Sequence, residues 1–161
     1  MLLFFSKKQW SDTPPQTPLI CLLFFQFGYS QTELKRTAVN DLTEEIQKEK
    51  RPIVFFIYTD WCGFCHQMEQ QTWTNADVIE KLNSKYYFAA LNAESEENYT
   101  IANMEFQNQT GTNELAVALA FDGKRLAYPS LVILSSEYEI IYQQSGYQSP
   151  TEVKQLLNKL E

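Results

Sequence analysis

Histidine is nearly absent from this chain, with His66 the single example among 161 residues, and cysteine is scarce, at three. A zinc centre would have to be built on Cys62, Cys65 and His66, and it lacks a convincing fourth ligand. Positive charge is also short. Thirteen Lys and Arg stand against 20 Asp and Glu, a net charge of −7, which argues against a nucleic-acid partner. No apolar run is long enough to span a bilayer comfortably, since a membrane helix takes about 20 such residues. Repeats and low-complexity tracts are missing too. What remains is a chain with room for one domain and a real core: 44% hydrophobic, with 11 Phe, 9 Tyr and 3 Trp.

The two cysteines Cys62 and Cys65 are the chemistry of the chain. An uncharged run from Pro52 to Tyr58 leads into them, and a helix predicted over Cys65 to Thr72 leads out. Where a buried strand becomes a helix, the first thiol meets unpaired backbone N–H groups and the positive end of the helix dipole, which stabilise a thiolate. The second thiol lies one turn on, within reach of a disulfide. A Cys-x-x-Cys in such a strand–helix context reads as a dithiol redox device. Cys62 is then the more exposed, attacking thiol and Cys65 the resolving one. Three other readings stand beside it. Cys-x-x-Cys-His is also a haem-attachment signature with His66 as axial ligand, but its second ligand would have to be Met68 or Met104. The others are the incomplete zinc site and a purely structural disulfide.

Residues 1–30 read as a signal peptide and 31–161 as the domain. Lys7 and Lys8 supply positive charge, Leu19 to Phe25 an apolar core, and Gly28, Tyr29 and Ser30 a small-x-small cleavage pattern. Cys21 would leave with the signal. The alternative is an anchor retained through residues 19–27. Export, to a periplasm, would place the dithiol in an oxidising compartment, where a partner must keep it reduced unless it serves as an oxidant.

The predicted elements follow from periodicity and caps. Glu33 to Thr37 offers an edge strand. Asn40 caps a helix over Asp41 to Lys50 whose apolar pair is Leu42 and Ile46. Ile53 to Tyr58, apolar without alternation, is a central strand covered on both faces. Phe64 and Met68 form a helix stripe that packs in the core, while Cys65, Glu69 and Trp73 share another face. Thr74 and Asn75 cap a helix over Ala76 to Asn83, and Tyr86 to Leu91 is a second parallel strand. Glu94 to Glu97 is a solvated acidic loop, and Thr100 to Phe106 contains one short strand. Thr112 caps a helix over Asn113 to Phe121. Leu131 to Leu134 and Glu137 to Tyr142 pair antiparallel through Ser135 and Ser136. Gly146 turns the chain, and Ser149 to Glu152 is a capping box opening the last helix, with Val153, Leu156, Leu157 and Leu160 inward.

Taken together, Trp61 to His66, Pro129 before a strand and Gly146 before the last helix stand in the order found in thioredoxins. The runs Asp60 to Glu69 and Thr72 to Ile79 are similar to exported bacterial thioredoxin-like proteins and to the C-terminal domain of the disulfide reductase DsbD. The resemblance covers residues 41–161. It implies an α/β, thioredoxin-like fold, a central mixed β-sheet with helices on both faces. It also implies a thiol–disulfide oxidoreductase that exchanges electrons with protein disulfides, with reduction the leading direction. A membrane or soluble redox partner would recycle the dithiol, and no cofactor is implied. By position, Pro129 matches a cis-proline facing the disulfide, and Trp61, Tyr128 and Pro129 match the substrate-binding surface. Gly63, Phe64 and His66 fall where the family tunes its potential. Glu69 matches a glutamate of the DsbD domain and becomes a candidate proton acceptor for Cys65. The departures are equally specific: thioredoxin's buried aspartate is here Phe56, its helix-kinking proline is Gln70, and Gly-Phe replaces Gly-Pro. A non-catalytic binding module of the same fold is the alternative function.

Overall fold

The computed structural model describes residues 33–160. The expected signal segment, its apolar core and Cys21 lie outside the described residues. Among the described residues no helix is long and apolar enough to cross a membrane.

A four-stranded mixed sheet organises the domain. Strand β1 (Ile53–Tyr58) lies between β2 (Tyr87–Asn92), which is parallel to it, and β5 (Ser130–Leu134), which is antiparallel; β6 (Ile140–Ser145) closes the far edge, giving the order β2-β1-β5-β6. The strand that feeds the cysteine motif is thus central, as its unbroken apolar run requires. Its alternate residues serve two cores. Ile53, Phe55 and Ile57 pack with helices α1 (Leu42–Lys48) and α4 (Glu114–Ala120) on one face. Val54 and Phe56 pack on the other with α2 (Gly63–Gln71), α3 (Ala76–Lys85) and α5 (Pro150–Lys159). This is the expected α/β, thioredoxin-like arrangement, with helices on both faces. Each fully buried side chain of Phe or Ile size contributes about 1.5–3 kcal/mol over an exposed one.

Several local expectations give way to tertiary contacts. A 3-10 turn at Val39–Asp41 precedes α1, and Asn40 does not cap it. The Asn40 side chain instead reaches the strand beyond, accepting from Thr100 N at 2.8 Å and donating to Asn98 O at 3.3 Å. Residues 99–106 form a hairpin of two strands, Tyr99–Ile101 (β3) and Met104–Phe106 (β4), because Ala102 and Asn103 take positive φ and turn the chain. Asn113, not Thr112, caps α4, its Oδ1 accepting from Leu115 N at 3.0 Å. β6 begins at Ile140 rather than Glu137, since Tyr138, at φ 66°, belongs to the turn. Glu33 to Thr37 contributes one bridge, Arg36 to Phe88, rather than a strand. The capping box at Ser149 and Glu152 is present as read, with Pro150 at the helix start.

Candidate active site

The motif sits at the C-terminal end of β1, where parallel α/β sheets leave room for chemistry. β1 ends at Tyr58, and Cys62 is the N-cap of α2, which starts at Gly63, two residues earlier than the sequence predicts. An N-cap side chain normally offers oxygen to the free N–H groups of the first turn. Here Cys62 Sγ takes that place and accepts from Cys65 N at 3.1 Å. The helix start therefore directs a backbone donor at the first sulfur. Cys62 and Cys65 form a disulfide, with an S–S distance of 2.06 Å and Cα atoms 5.2 Å apart. Cys62 is the more accessible of the two, but only by 6% against 2% exposure, so the oxidised pair is nearly sealed.

Large apolar side chains stand exposed beside it. Trp61 is 69% exposed and Phe64 63%. Phe64 thus does not share the core stripe of fully buried Met68, which corrects the sequence reading. Phe64 stands at the second position of α2, in its first turn. The Trp61 ring meets Tyr128 edge-on at 6.2 Å between centroids. The Tyr128–Pro129 peptide bond is cis. Burial, aided by the charge of Glu94, pushes the Tyr128 phenol above its ordinary value. Gly63, between the cysteines, has open space where a side chain would stand. His66 Nε2 lies 2.8 Å from the Asp60 carbonyl; a carbonyl only accepts, so Nε2 carries the proton there.

Two residues enter the site that the sequence reading missed. Glu94 is not merely a solvated acid: its Oε1 accepts from the Trp61 indole N–H at 2.9 Å. Its loop is held from behind by Asn108, whose amide donates to Glu94 O and Ser95 O, and by fully buried Asn113, which donates to Glu97 O at 3.0 Å. The available signal was position, because Glu94 follows β2 at the same sheet end as the motif. The second is Arg36, which pairs with Glu69. No local pattern announces it, since the two lie 33 residues apart. Glu69 itself is one-third exposed and lines a cleft of about 610 Å³ with Glu33, Arg36 and Trp73. Phe56, at the position of thioredoxin's aspartate, is fully buried, stacked on Tyr58 and meeting Trp73 edge-on.

Comparison with known proteins agrees with this geometry. Residues 39–161 match the model of the family described as "Thioredoxin-like domain", and the chain belongs to that family. With its paired Cys62 and Cys65, it is a thiol–disulfide oxidoreductase. Among solved structures it is similar to a DsbH oxidoreductase, at 15% identity and a TM-score of 0.57, over 96% of this chain and 92% of that one. A thioredoxin from Thermus thermophilus matches at 15% identity and a TM-score of 0.59, over 80% of this chain and 87% of that one. The reduced C-terminal domain of Neisseria meningitidis DsbD matches at 12% identity and a TM-score of 0.52, over 78% of this chain and all of that domain. No curated protein matches the sequence.

Proposed function

We propose that this protein is an exported reductase of protein disulfides, with Cys62 as nucleophile, Cys65 as resolving thiol and Glu69 as acceptor of the Cys65 proton. The observation that carries the reading is the disulfide at the start of α2, with exposed Trp61 and Phe64 beside it. Exposed aromatic surface of this kind suits an unfolded or extended protein segment better than a small thiol. Trp61, Tyr128 and Pro129 form the surface that receives the segment. Gly63, Phe64 and His66, between and just after the cysteines, set the local field and access.

Charge supports the reducing direction. Asp60 lies two residues before Cys62, Glu94 holds the neighbouring Trp61, and negative charge disfavours the thiolate of the reduced form. A dithiol whose reduced form is little stabilised is a reductant. The predicted signal at residues 1–30 supports an oxidising compartment, in which a redox partner returns electrons to the dithiol.

In the reaction, the Cys62 thiolate attacks one sulfur of the substrate disulfide, forming a mixed disulfide and releasing the other substrate sulfur as a thiolate. Cys65 then loses its proton and attacks the Cys62 sulfur. The Cys62–Cys65 bond forms, the second substrate thiolate leaves and is protonated, and two electrons have passed to the substrate. Glu69 lies one helical turn beyond Cys65 on the same helical face, from which its carboxylate would take that proton directly or through water.

Equilibration of the full chain with thiol redox buffers tests the direction. The couple is expected nearer the reducing end of the dithiol range, about −270 mV, than the oxidising end, about −120 mV. A value at the oxidising end would overturn the reading. Stopped-flow comparison of Glu69→Gln with the parent tests the proton step: release of substrate from the Cys62 adduct slows, while formation of the adduct does not.

A further inference from the structure

The Arg36 guanidinium grips the Glu69 carboxylate with both arms, Nη2 to Oε2 at 2.6 Å and Nη1 to Oε1 at 3.2 Å. Two parallel N–H···O bonds fix the orientation of a carboxylate as well as holding it. The sheet itself delivers Arg36. It bridges Phe88 at the edge of β2, the next N–H, of Thr37, donates to Phe88 O at 2.8 Å, and the guanidinium lies over the Phe88 ring at 5.4 Å. Arg36 precedes residue 39, where the match to the family begins. The clamp on Glu69 is therefore supplied from outside the matched domain.

Glu69 stands one turn from Cys65, about 5–6 Å between Cβ atoms. At that distance an uncompensated carboxylate acts on the Cys65 sulfur and, more weakly, on that of Cys62, which lies a further turn away. Tyr58, which packs in the cluster containing Cys62 and Cys65, registers the local field. Burial first, then Asp60 and Glu69, push its phenol up, and Arg36 pulls it down. The other charges near this region are Glu33, which lines the same cleft, Asp60, which acts on Tyr58, and Glu94, which holds Trp61. All are acidic, and Arg36 is the cation among the residues lining the cleft.

We propose that Arg36 is a tuning residue for the dithiol: its two-bonded clamp offsets the charge of Glu69, one helical turn from Cys65, and so lowers the negative charge that the thiols meet. The attacking thiolate of Cys62 is then spared the repulsion of its own helix's glutamate. The inference rests on the dithiol chemistry proposed above, and it assigns opposite signatures to the two partners.

The test compares Arg36→Gln, Arg36→Lys, Glu69→Gln and the Arg36→Gln/Glu69→Gln double variant in the full chain, on one disulfide-bonded peptide at pH 7. Low ionic strength is used, because the side chains are 43% and 33% exposed and salt screens them. Arg36→Gln slows adduct formation about three- to tenfold and moves the Cys62 titration, followed by thiolate absorbance, upward. Arg36→Lys keeps the charge and recovers most of the rate. Glu69→Gln forms the adduct at the parent rate or faster but releases substrate slowly. The double variant returns toward the parent's rate of formation, a rescue that damage to the fold does not give. Formation at the parent rate in Arg36→Gln, or a double variant no closer to the parent than Arg36→Gln alone, would overturn the proposal. An unchanged release rate in Glu69→Gln removes the proton role separately and leaves charge cancellation to be judged by the formation rates.

Discussion

The Trp61 indole N–H donates to Glu94 Oε1 at 2.9 Å, joining the residue before the first cysteine to the loop that follows β2. Without this bond the indole, 69% exposed, is free to turn about its side-chain torsions. Glu94→Ala is therefore expected to speed exchange of the Trp61 indole proton with water in NMR spectra and to raise KM for protein disulfides more than it lowers kcat. Glu94→Gln, which keeps an acceptor oxygen, should retain most of the protection. The bond is worth about 0.5–1.5 kcal/mol. An indole exchanging no faster in Glu94→Ala would show that Tyr128 alone holds the ring.

The order of attack predicts different fates for the two cysteine variants. Cys65→Ser accumulates mixed disulfides through Cys62, because nothing resolves them, and Cys62→Ser accumulates few. Non-reducing gels of extracts treated with a thiol-alkylating quench measure this. Equal trapping by both variants would contradict the assignment of Cys62, whose Sγ alone takes the cap position of α2.

Phe56 holds a place where thioredoxin carries a buried acid, and here it bridges Tyr58 and Trp73 beneath the motif. Phe56→Ala is expected to cost about 3–5 kcal/mol by urea denaturation, as large aromatic truncations in a packed core do. Phe56→Asp should cost at least as much, since it adds an unpaired buried carboxyl. A loss under about 1 kcal/mol for Phe56→Ala would mean that the core closes over the gap.

Acid should loosen the start of the last helix. The Ser149 hydroxyl and backbone hold Glu152 below its ordinary value, and Lys154 does the same for Asp77 across the α3–α5 contact. A carboxyl depressed on folding stabilises the fold above its ordinary value, and that contribution is lost as the pH falls through the lower, folded value. The urea midpoint is therefore expected to fall as the pH drops from about 5 toward 3, carboxylates titrating near 4. Glu152→Gln should flatten part of that decline; an identical profile would exclude the capping box from the acid response.

Much of this architecture was legible because it is local. Ile53 to Tyr58 carries no charge and no alternation, which suits a strand covered on both faces. Ser149 to Glu152 spells a helix start in four residues, and the spacing of Cys62 and Cys65 at the end of that strand is chemistry in itself. The hairpin at residues 99–106 was harder, because Ala102 and Asn103 carry no glycine to mark the turn. Asn40 misled for a related reason. A capping residue type serves equally well as a cross-strand amide, and its partners Asn98 and Thr100 are remote in sequence.

The sequence by itself determined the central strand, the dithiol, the helix that begins at it and the fold these imply, since each depends on residues within a few positions of one another. Only the tertiary structure decided what surrounds the sulfurs. It placed Phe64 outside the core, gave Glu94 to Trp61 and gave Arg36 to Glu69. These partners are 33 residues apart in each pair, and charge and hydrogen bonding act through space, so their pairing exists only once the sheet has set β2 beside β1.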